Sequence, residues 1–440
     1  MSPQKHKTSL QFSEYLPTIA SDSRLALPDL MPVQQHFSTD RIKDIDQETR
    51  VQMARLSDMD LRGKRIAITA GSRGIKGFVE TLKAIVAQLK DWGAEPFIVP
   101  AMGSHGGATA NGQVMALESL GITENAIGAP IRSSMEVVEL GRLDSHTVVC
   151  CDRLAFESDG IIVCNRVKAH TGFLGDYESG LLKMMAIGLG KHIGTTSLHQ
   201  LGFGQFHRVI PEAAALFLEK APILFGVAIV ENAHNQAALI SGILPKDLFD
   251  REKELLTIAK STMGRMLVSE IDLLIVDEIG KDISGGGMDS NITGRAASGI
   301  KRPNAPSIKQ IVIRDLTNAT AGNALGMGMA DVMTRRAADK INLSYTYTNV
   351  LTSGAPLAGK LPIIAENDRT AIEMAHSLLV TSPNSPLRVA HIRNTKDLEN
   401  IWLSAAYLPE IESNPDLSIT GEPHPYEFDA QGNLVWPTPR

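Results

Sequence analysis

From about residue 64 the chain alternates between short apolar runs and amphipathic stretches. "RIAITA" and "EPFIVPA" are apolar runs of strand length. Between them, "FVETLKAIVAQLKDWG" repeats apolar residues at helical spacing and ends at Gly93, a typical helix terminator. A strand, a helix and a second strand in this order predict a βαβ unit with parallel strands.

The same alternation continues along the chain. "VVELG", "TVVCCDRL", "DGIIVCNRV" and "ILFGVAIVENA" are predicted strands, and "SGLLKMMAIGLGKHIG" and "VIPEAAALFLEKA" are predicted helices. A second set begins near Glu270, with strands in "EIDLLIVDEIG" and "IKQIVIRDLT" and a helix over "GNALGMGMADVMTRRAADKI". The runs "DGIIVCN" and "DLLIVDE" lack alternation, which is typical of strands buried on both faces.

A chain of 440 residues is too long for one compact core. We therefore expect two α/β domains with mostly parallel sheets and an active-site cleft between them. Residues 1–265 are expected to form an N-terminal catalytic and cofactor-binding domain, and residues 266–398 a C-terminal domain. Residues 399–440 are expected to be a tail that packs back on the N-terminal domain.

Composition excludes several classes of partner. The formal charge of -6 gives no electrostatic reason to expect nucleic acid or an anionic membrane. The sequence has neither a signal-peptide segment nor a stretch of about 20 apolar residues, so a cytoplasmic location is expected. The three cysteines lack CxxC spacing, and we expect Cys150 and Cys151 to be buried strand residues and not metal ligands.

A glycine-rich turn, "TAGSRGIKG", follows the first predicted strand. It is similar to the dinucleotide loop of short-chain dehydrogenases, but it starts far into the chain. The next strand ends in "FIVPAMGSHGG", without the acid that binds the ribose, and no Tyr-x-x-x-Lys is present. The amides and Arg73 of such a turn can instead hold a carboxylate or a phosphate. A solvent-exposed Arg in a tight connection is the structural alternative.

Two histidines also follow predicted strands, His105 in "GSHGG" and His170 in "NRVKAHTGF". Ligands of open α/β sheets bind outside the carboxyl ends of the strands, so both are expected to converge with Arg73. Two facing imidazoles can serve as acid and base on either face of one carbon, as a racemase or epimerase requires. Lys183 opens the apolar stretch "KMMAIGLG" and is either a desolvated nucleophile or a snorkelling surface residue.

Taken together, these motifs resemble those of the nickel-dependent lactate racemase family. The matching positions are Arg73, the Gly103-Ser104-His105 turn, His170, Lys183 and His199. The resemblance implies that Lys183 binds a nickel-pincer nucleotide covalently and that His199, or in reserve His192, is a nickel ligand. It also implies that His105 and His170 are the acid/base pair and that Arg73 holds the substrate carboxylate.

By the same resemblance the protein is an isomerase, a racemase or epimerase that inverts C2 of a 2-hydroxy acid. Hydride transfer to and from the cofactor would pass through a 2-keto acid, and cofactor-biosynthesis proteins would be partners. Substrate contacts are expected from Lys281, Asn291, Thr293 and Arg295 in "EIGKDISGGGMDSNITGR". The substrate, lactate-like or a larger sugar acid, and the oligomeric state stay open. The alternatives are a nicotinamide-dependent oxidoreductase and a non-catalytic carboxylate-binding protein.

Overall fold

The computed structural model describes residues 27–379 and 385–436. The chain forms two compact units. The central unit is Ser38–Met263, and the flanking unit combines the two ends of the chain, Met1–Phe37 and Gly264–Arg440. The expectation that residues 1–265 form one domain is corrected, because the strand Leu30–Gln35 belongs to the flanking unit.

The central unit is built on a five-stranded sheet. In spatial order its strands are Glu95–Pro100, Arg65–Ala70, Gly160–Arg166, Ile223–Glu231 and Ala237–Ile243. The first four are parallel and the last is antiparallel. The expected α/β class with mostly parallel strands is confirmed. The predicted βαβ unit is present, with its two strands in register from Arg65 opposite Glu95.

Helices cover this sheet and a small hairpin lies beside it. The longer helices are Ile45–Met53, Phe78–Asp91, Ala110–Glu118, Phe206–Lys220 and Leu248–Thr262. In Phe78–Asp91 the residues Leu82, Ile85 and Leu89 are fully buried at helical spacing, so this face packs on the sheet. The hairpin pairs Val137–Arg142 with Val148–Asp152. As expected, its Cys150 and Cys151 are buried.

The predicted continuous helix over "SGLLKMMAIGLGKHIG" is interrupted. It consists of a short α-helical turn at Leu181–Lys183, a π-helical turn at Met184–Leu189 and a helix at Lys191–His199. Lys191 has a left-handed backbone with φ 51°. An unbroken helix would separate the Cα atoms of Lys183 and His199 by about 24 Å. The break lets the second helix return against the π-helical turn, where the Thr195 hydroxyl donates to Ile187 O at 2.9 Å.

The flanking unit is built on an eight-stranded sheet. In spatial order its strands are Ile363–Ala365, Val332–Thr334, Ser307–Leu316, Glu270–Ile279, Val389–Ile392, Asn400–Ser404, Leu30–Gln35 and Leu417–Ile419. The first five are parallel and the remaining pairs are antiparallel. Its main helices are Leu343–Ser353 and Asp368–Ser377, with shorter ones at Ser290–Thr293, Arg335–Asp339 and Leu408–Ser413.

The structure corrects two expectations about the C-terminal half. Residues 399–436 do not form a tail on the N-terminal domain, because Asn400–Ser404 pairs between Val389–Ile392 and Leu30–Gln35 inside the flanking sheet. The apolar side chains of Ile401 and Leu403 are buried there. Residues 437–440 of the expected tail lie outside the described residues.

The single helix expected over "GNALGMGMADVMTRRAADKI" is also wrong. The segment contains a 3-10 turn at Met327–Met329, the strand Val332–Thr334 and the helix Arg335–Asp339. Gly326, with φ 99°, interrupts helical geometry before the turn.

In the part of the chain that the structure describes, no helix is both long and apolar enough to cross a membrane.

Candidate active site

The glycine-rich turn joins the strand Arg65–Ala70 to the helix Phe78–Asp91. Gly77 has φ 81°, a left-handed conformation that glycine adopts without strain. A Cβ atom at Gly71 would lie 3.2 Å from the Cε atom of Met184. The turn therefore passes directly against the residue that follows Lys183.

Arg73 lies in this turn and is exposed along part of its side chain. Desolvation by the surrounding protein, together with the positive charge of Arg166, lowers the pKa of Arg73. Arginine nevertheless stays protonated in proteins. Glu231 fixes the turn, because its carboxylate accepts from the Lys76 amide at 3.2 Å and pairs with Arg166. Arg73 is thus an exposed cation with a second cation, Arg166, nearby, and an anionic ligand would reduce the repulsion between them.

The imidazole of His105 follows the strand Glu95–Pro100. Its Nδ1 atom lies 2.7 Å from the carbonyl oxygen of Met102. Because a carbonyl oxygen only accepts, Nδ1 carries the proton of the neutral ring and Nε2 carries the lone pair. His105 is therefore in the tautomer of a base that acts through Nε2.

The turn that carries His105 packs on the segment between Lys183 and His199. Gly103 has φ 58°, and a Cβ atom there would lie 2.6 Å from the Thr195 hydroxyl and 3.3 Å from Ile187 O. A side chain at this position would clash with these atoms, so the close contact requires glycine. Gly103 thus links the turn to the helix that ends at His199.

His170 lies in a loop that folds around a buried carboxylate. Glu178 is fully buried, and its Oε2 atom accepts from the His170 amide at 2.6 Å. Its Oε1 atom accepts from the Gly175 amide at 3.3 Å and pairs with the Lys260 ammonium at 2.6 Å. These contacts fix the backbone of the loop after the strand Gly160–Arg166.

The ring of His170 has the opposite tautomer to that of His105. The Gly172 amide donates to His170 Nδ1 at 2.8 Å, so in the neutral ring the proton is on Nε2. The ring lies against Phe173 and Phe203, with centroid distances of 4.4 Å and 5.9 Å. One imidazole is thus set to accept a proton and the other to donate a hydrogen bond.

The start of the segment that carries Lys183 is held by two side chains. Glu252 Oε2 accepts from the amides of Leu181 and Leu182 at 2.8 Å and 3.0 Å. Asn165 Nδ2 donates to Gly180 O at 3.0 Å. A carboxylate on the first amides satisfies donors that a helix start otherwise leaves without partners.

Lys183 is the most chemically distinctive residue of the site. Desolvation, followed by the positive charges of Arg73 and Lys168, lowers its pKa from 10.5 to about 7, and Glu178 opposes this only in part. Its Nζ atom lies 5.9 Å from the Phe173 ring centroid. About half of the amine is therefore neutral and nucleophilic near pH 7.

His199 lies close enough to Lys183 to feel its charge. Its pKa is lowered by desolvation and by the Lys183 charge, against a hydrogen bond that favours protonation. In that bond Nδ1 donates to Thr195 O at 2.8 Å, which places the lone pair on Nε2. The ring packs edge-on against Phe203 and Phe206, with centroid distances of 5.9 Å and 5.0 Å.

The central unit thus brings Arg73, Lys183 and His199 into electrostatic contact, and His170 and His199 share the ring of Phe203. His192 is exposed on the same helix as His199. Of the two candidate nickel ligands, His199 is the one associated with Lys183.

A metal site made by protein ligands alone is not present in the described part of the chain, where no group of three His, Cys, Asp or Glu residues is arranged to hold an ion. All three cysteine thiols are buried, and desolvation raises the pKa of each.

The residues expected to contact substrate from the second domain have contacts within the flanking unit. Arg295 donates to Asp331 at 2.7 Å and to the carbonyl oxygens of Met329, Ile308 and Lys309. Arg295 is therefore held within the flanking unit, and its substrate role stays a prediction.

Three other residues from the same loop were expected to contact substrate. Thr293 is buried, and its hydroxyl donates to Asp289 O at 3.4 Å. Its substrate role stays a prediction. Lys281 donates to Gly285 O at 2.7 Å, and its substrate role stays a prediction. Asn291 bonds to Asp289 through its amide at 2.8 Å, which closes its own loop.

Sequence reasoning missed the residues that hold the site. Glu178, Glu252 and Lys260 are ordinary charged residues in the sequence, and only their burial and partners distinguish them. The one available signal was the spacing of Glu252 and Lys260, which places both on one face of the helix Leu248–Thr262.

No protein-family model and no curated protein sequence matches the chain. Two solved structures are similar in chain path. A protein from Thermotoga maritima aligns with a TM-score of 0.48 and 16% identity, over 63% of this chain and 72% of its own. The lactate racemase apoprotein from Thermoanaerobacterium thermosaccharolyticum aligns with a TM-score of 0.42 and 15% identity, over 66% and 74%. Similarity at this level assigns no function.

Proposed function

We propose that the protein is a racemase or epimerase that inverts C2 of a 2-hydroxy acid with a nickel-pincer nucleotide attached to Lys183. The observation that supports this most strongly is the amine of Lys183, with a pKa of about 7, beside Arg73 and His199. A lysine in this state can form a covalent bond near neutral pH.

The residues present fit the cofactor. Lys183 supplies the attachment point, and His199 offers an Nε2 lone pair with its ring fixed through Thr195. Imidazole is a suitable ligand for nickel, and a hydrogen bond on the second ring nitrogen fixes its orientation. When bound, the cofactor supplies a centre that takes up the C2 hydrogen as hydride and returns it.

The side chains of the chain supply the remaining chemistry. Arg73 binds the substrate carboxylate through charge-assisted hydrogen bonds. His105 takes the hydroxyl proton through Nε2 and gives it back to the oxygen once the hydrogen has returned to C2, while His170 donates a hydrogen bond from Nε2 to that oxygen. When the other enantiomer is the substrate, His170 has to act as the base, which requires its Nδ1 contact with Gly172 to open.

The decisive experiment uses protein co-expressed with the cofactor-biosynthesis proteins. We expect a covalent mass increase located on Lys183 by peptide mapping, which Lys183→Arg abolishes. Chiral chromatography with lactate and a panel of sugar acids should show interconversion of enantiomers or epimers. A purely carboxylate-binding protein would instead gain thermal stability from the acids without an added mass or any turnover, and that result contradicts the proposal.

The histidine roles are tested in the same protein. His105→Ala and His170→Ala should each lower kcat by about 10²–10⁴-fold, the usual contribution of a positioned acid or base. The matched control is His146→Ala, because His146 is an exposed residue of the hairpin loop. Wild-type kcat in either site variant would remove that histidine from the mechanism.

A further inference from the structure

A fully buried ion pair lies behind the turn that carries His105. Lys191 and Asp152 are both 0% exposed, with 3.0 Å between Nζ and Oδ2. The Lys191 ammonium also donates to Pro100 O at 2.6 Å and to Gln113 Oε1 at 2.9 Å. Burying two charges is costly, and a well-packed apolar pair would often serve stability equally well. The pair therefore calls for an explanation beyond stability.

Gln113 connects this ion pair to the turn. It is fully buried, and its Nε2 atom donates to Gly103 O at 2.8 Å and to His105 O at 3.3 Å. An ammonium group only donates, so Lys191 forces the carbonyl oxygen of Gln113 toward itself and the amide NH₂ toward the turn. The orientation of Gln113 thus depends on the charge of Lys191.

The backbone of Lys191 has a second role. Its left-handed conformation lies at the break between the π-helical turn after Lys183 and the helix that ends at His199. A non-glycine residue is strained in this conformation, and the side chain of Lys191 is held by three buried contacts. One residue therefore joins the three segments that carry His105, Lys183 and His199.

We propose that Lys191, paired with Asp152, and Gln113 are positioning residues that fix the His105 turn and thereby the tautomer and placement of the His105 ring. Fixing the carbonyl groups of Gly103 and His105 holds the turn in which Met102 O accepts from His105 Nδ1. The importance for catalysis rests on the proposed function, whereas the effect on the ring does not.

The test compares variants of the full chain by NMR of ¹⁵N-histidine and by amide hydrogen exchange over residues 102–106. Gln113→Leu keeps the contact between Lys191 and Asp152 and removes the link to the turn, together with the hydrogen bond from Lys191 Nζ to Gln113 Oε1. We expect amide exchange in the turn to rise about tenfold and a second His105 signal, with the proton on Nε2, to appear. Leu89→Ala is the control, since it destabilises the central unit from the far end of the helix Phe78–Asp91. The same exchange and tautomer in both variants would overturn the proposal.

The double variant Asp152→Asn/Lys191→Met separates positioning from stability. We expect it to recover thermal stability relative to Lys191→Met while the His105 signal stays mixed, because Gln113 still lacks the ammonium. Recovery of a single tautomer in the double variant would make the ion pair merely structural and overturn the role of Lys191.

Kinetics supply an independent readout. In cofactor-loaded protein, Gln113→Leu should lower kcat about tenfold or more with KM within about twofold, because the base and not the carboxylate contact is displaced. Unchanged kcat in this variant would contradict the proposal. If wild-type protein fails to racemise any acid, the proposed function fails, and the NMR comparison still decides the positioning role.

Discussion

At the scale of single residues, the site is distinguished by the protonation state of Lys183. A surface lysine has about one neutral amine in 10³ at pH 7, whereas about half of Lys183 is neutral. Burial is the largest cause, and the cations Arg73 and Lys168 add to it. Reactivity at Lys183 thus depends on neighbours that also attract an anionic substrate.

Removing one of those cations should raise the pKa of Lys183. We expect Arg73→Met to move it from about 7 toward 10.5, since the Arg73 charge is the second cause of the shift. The pH dependence of Lys183 acylation, followed by peptide mass spectrometry, measures this. Arg62→Met is the control, because Arg62 is exposed and forms its ion pair with the exposed Asp60. Equal acylation midpoints in the two variants would refute the electrostatic cause.

The choice between His199 and His192 can be decided by nickel content. Protein isolated with cofactor should lose its nickel on dialysis when His199 is changed to Ala and retain it when His192 is changed. The expectation follows from the half-buried His199 ring beside Lys183 and the exposed position of His192. Nickel lost only from His192→Ala would reverse the assignment.

At the scale of elements, the helix Leu248–Thr262 organises two parts of the site. Glu252 holds the amides that begin the Lys183 segment, and Lys260 pairs with the carboxylate that holds His170. Glu252 and Lys260 lie two helical turns apart on one face, so a shift of this helix would move both segments together.

The buried carboxyl of Glu252 should give the protein a distinctive pH dependence. Desolvation raises its pKa from 4.5 to about 7, although its two backbone hydrogen bonds oppose the shift. Between these values the folded state holds more protons than the unfolded state, so the free energy of unfolding falls as pH rises, by about 3 kcal/mol in total. Glu252→Gln removes this dependence and becomes progressively more stable than wild type across the window.

Urea denaturation at several pH values measures the difference between wild type and Glu252→Gln. Glu254→Gln, on an exposed position of the same helix, is the matched control and should track wild type. A difference that is independent of pH would show that Glu252 is already ionised in the folded protein.

Local sequence patterns predicted the elements whose contacts are local. The strands before Arg73, His105 and His170 were marked by apolar runs, and the turns after them follow from sheet geometry. The break at Lys191 was missed because it depends on a buried partner, Asp152, from a distant strand. The helix expected over residues 322–341 was wrong because residues 332–334 pair with distant strands in the parallel sheet, which the local pattern does not show.

At the scale of the molecule, the two units differ in how the chain builds them. The central unit is one continuous stretch, while the flanking sheet needs the strand Leu30–Gln35 between Asn400–Ser404 and Leu417–Ile419. We expect a fragment of residues 38–263 to fold alone, since its core lies within that stretch. Circular dichroism and a cooperative urea transition measure this, and a fragment without a transition contradicts it.

The flanking unit should behave differently from the central unit when it is produced as a fragment. A fragment of residues 264–440 should lack cooperative unfolding, because the strand Leu30–Gln35 is missing from the interior of its sheet. Adding a peptide of residues 27–37 should restore the transition. Cooperative unfolding without the peptide would show that the remaining strands are sufficient.

The interleaved sheet also sets an order of events during synthesis. Gln34 emerges from the ribosome 365 residues before its partner Glu399. At ordinary translation rates this delay is on the order of 20–70 s. Throughout that time the backbone edge of the first strand has no native neighbour, while the intervening unit can already reach its final form. A chaperone that shields unpaired strand edges would therefore have the strand Leu30–Gln35 as its substrate until Asn400–Ser404 and Leu417–Ile419 are made.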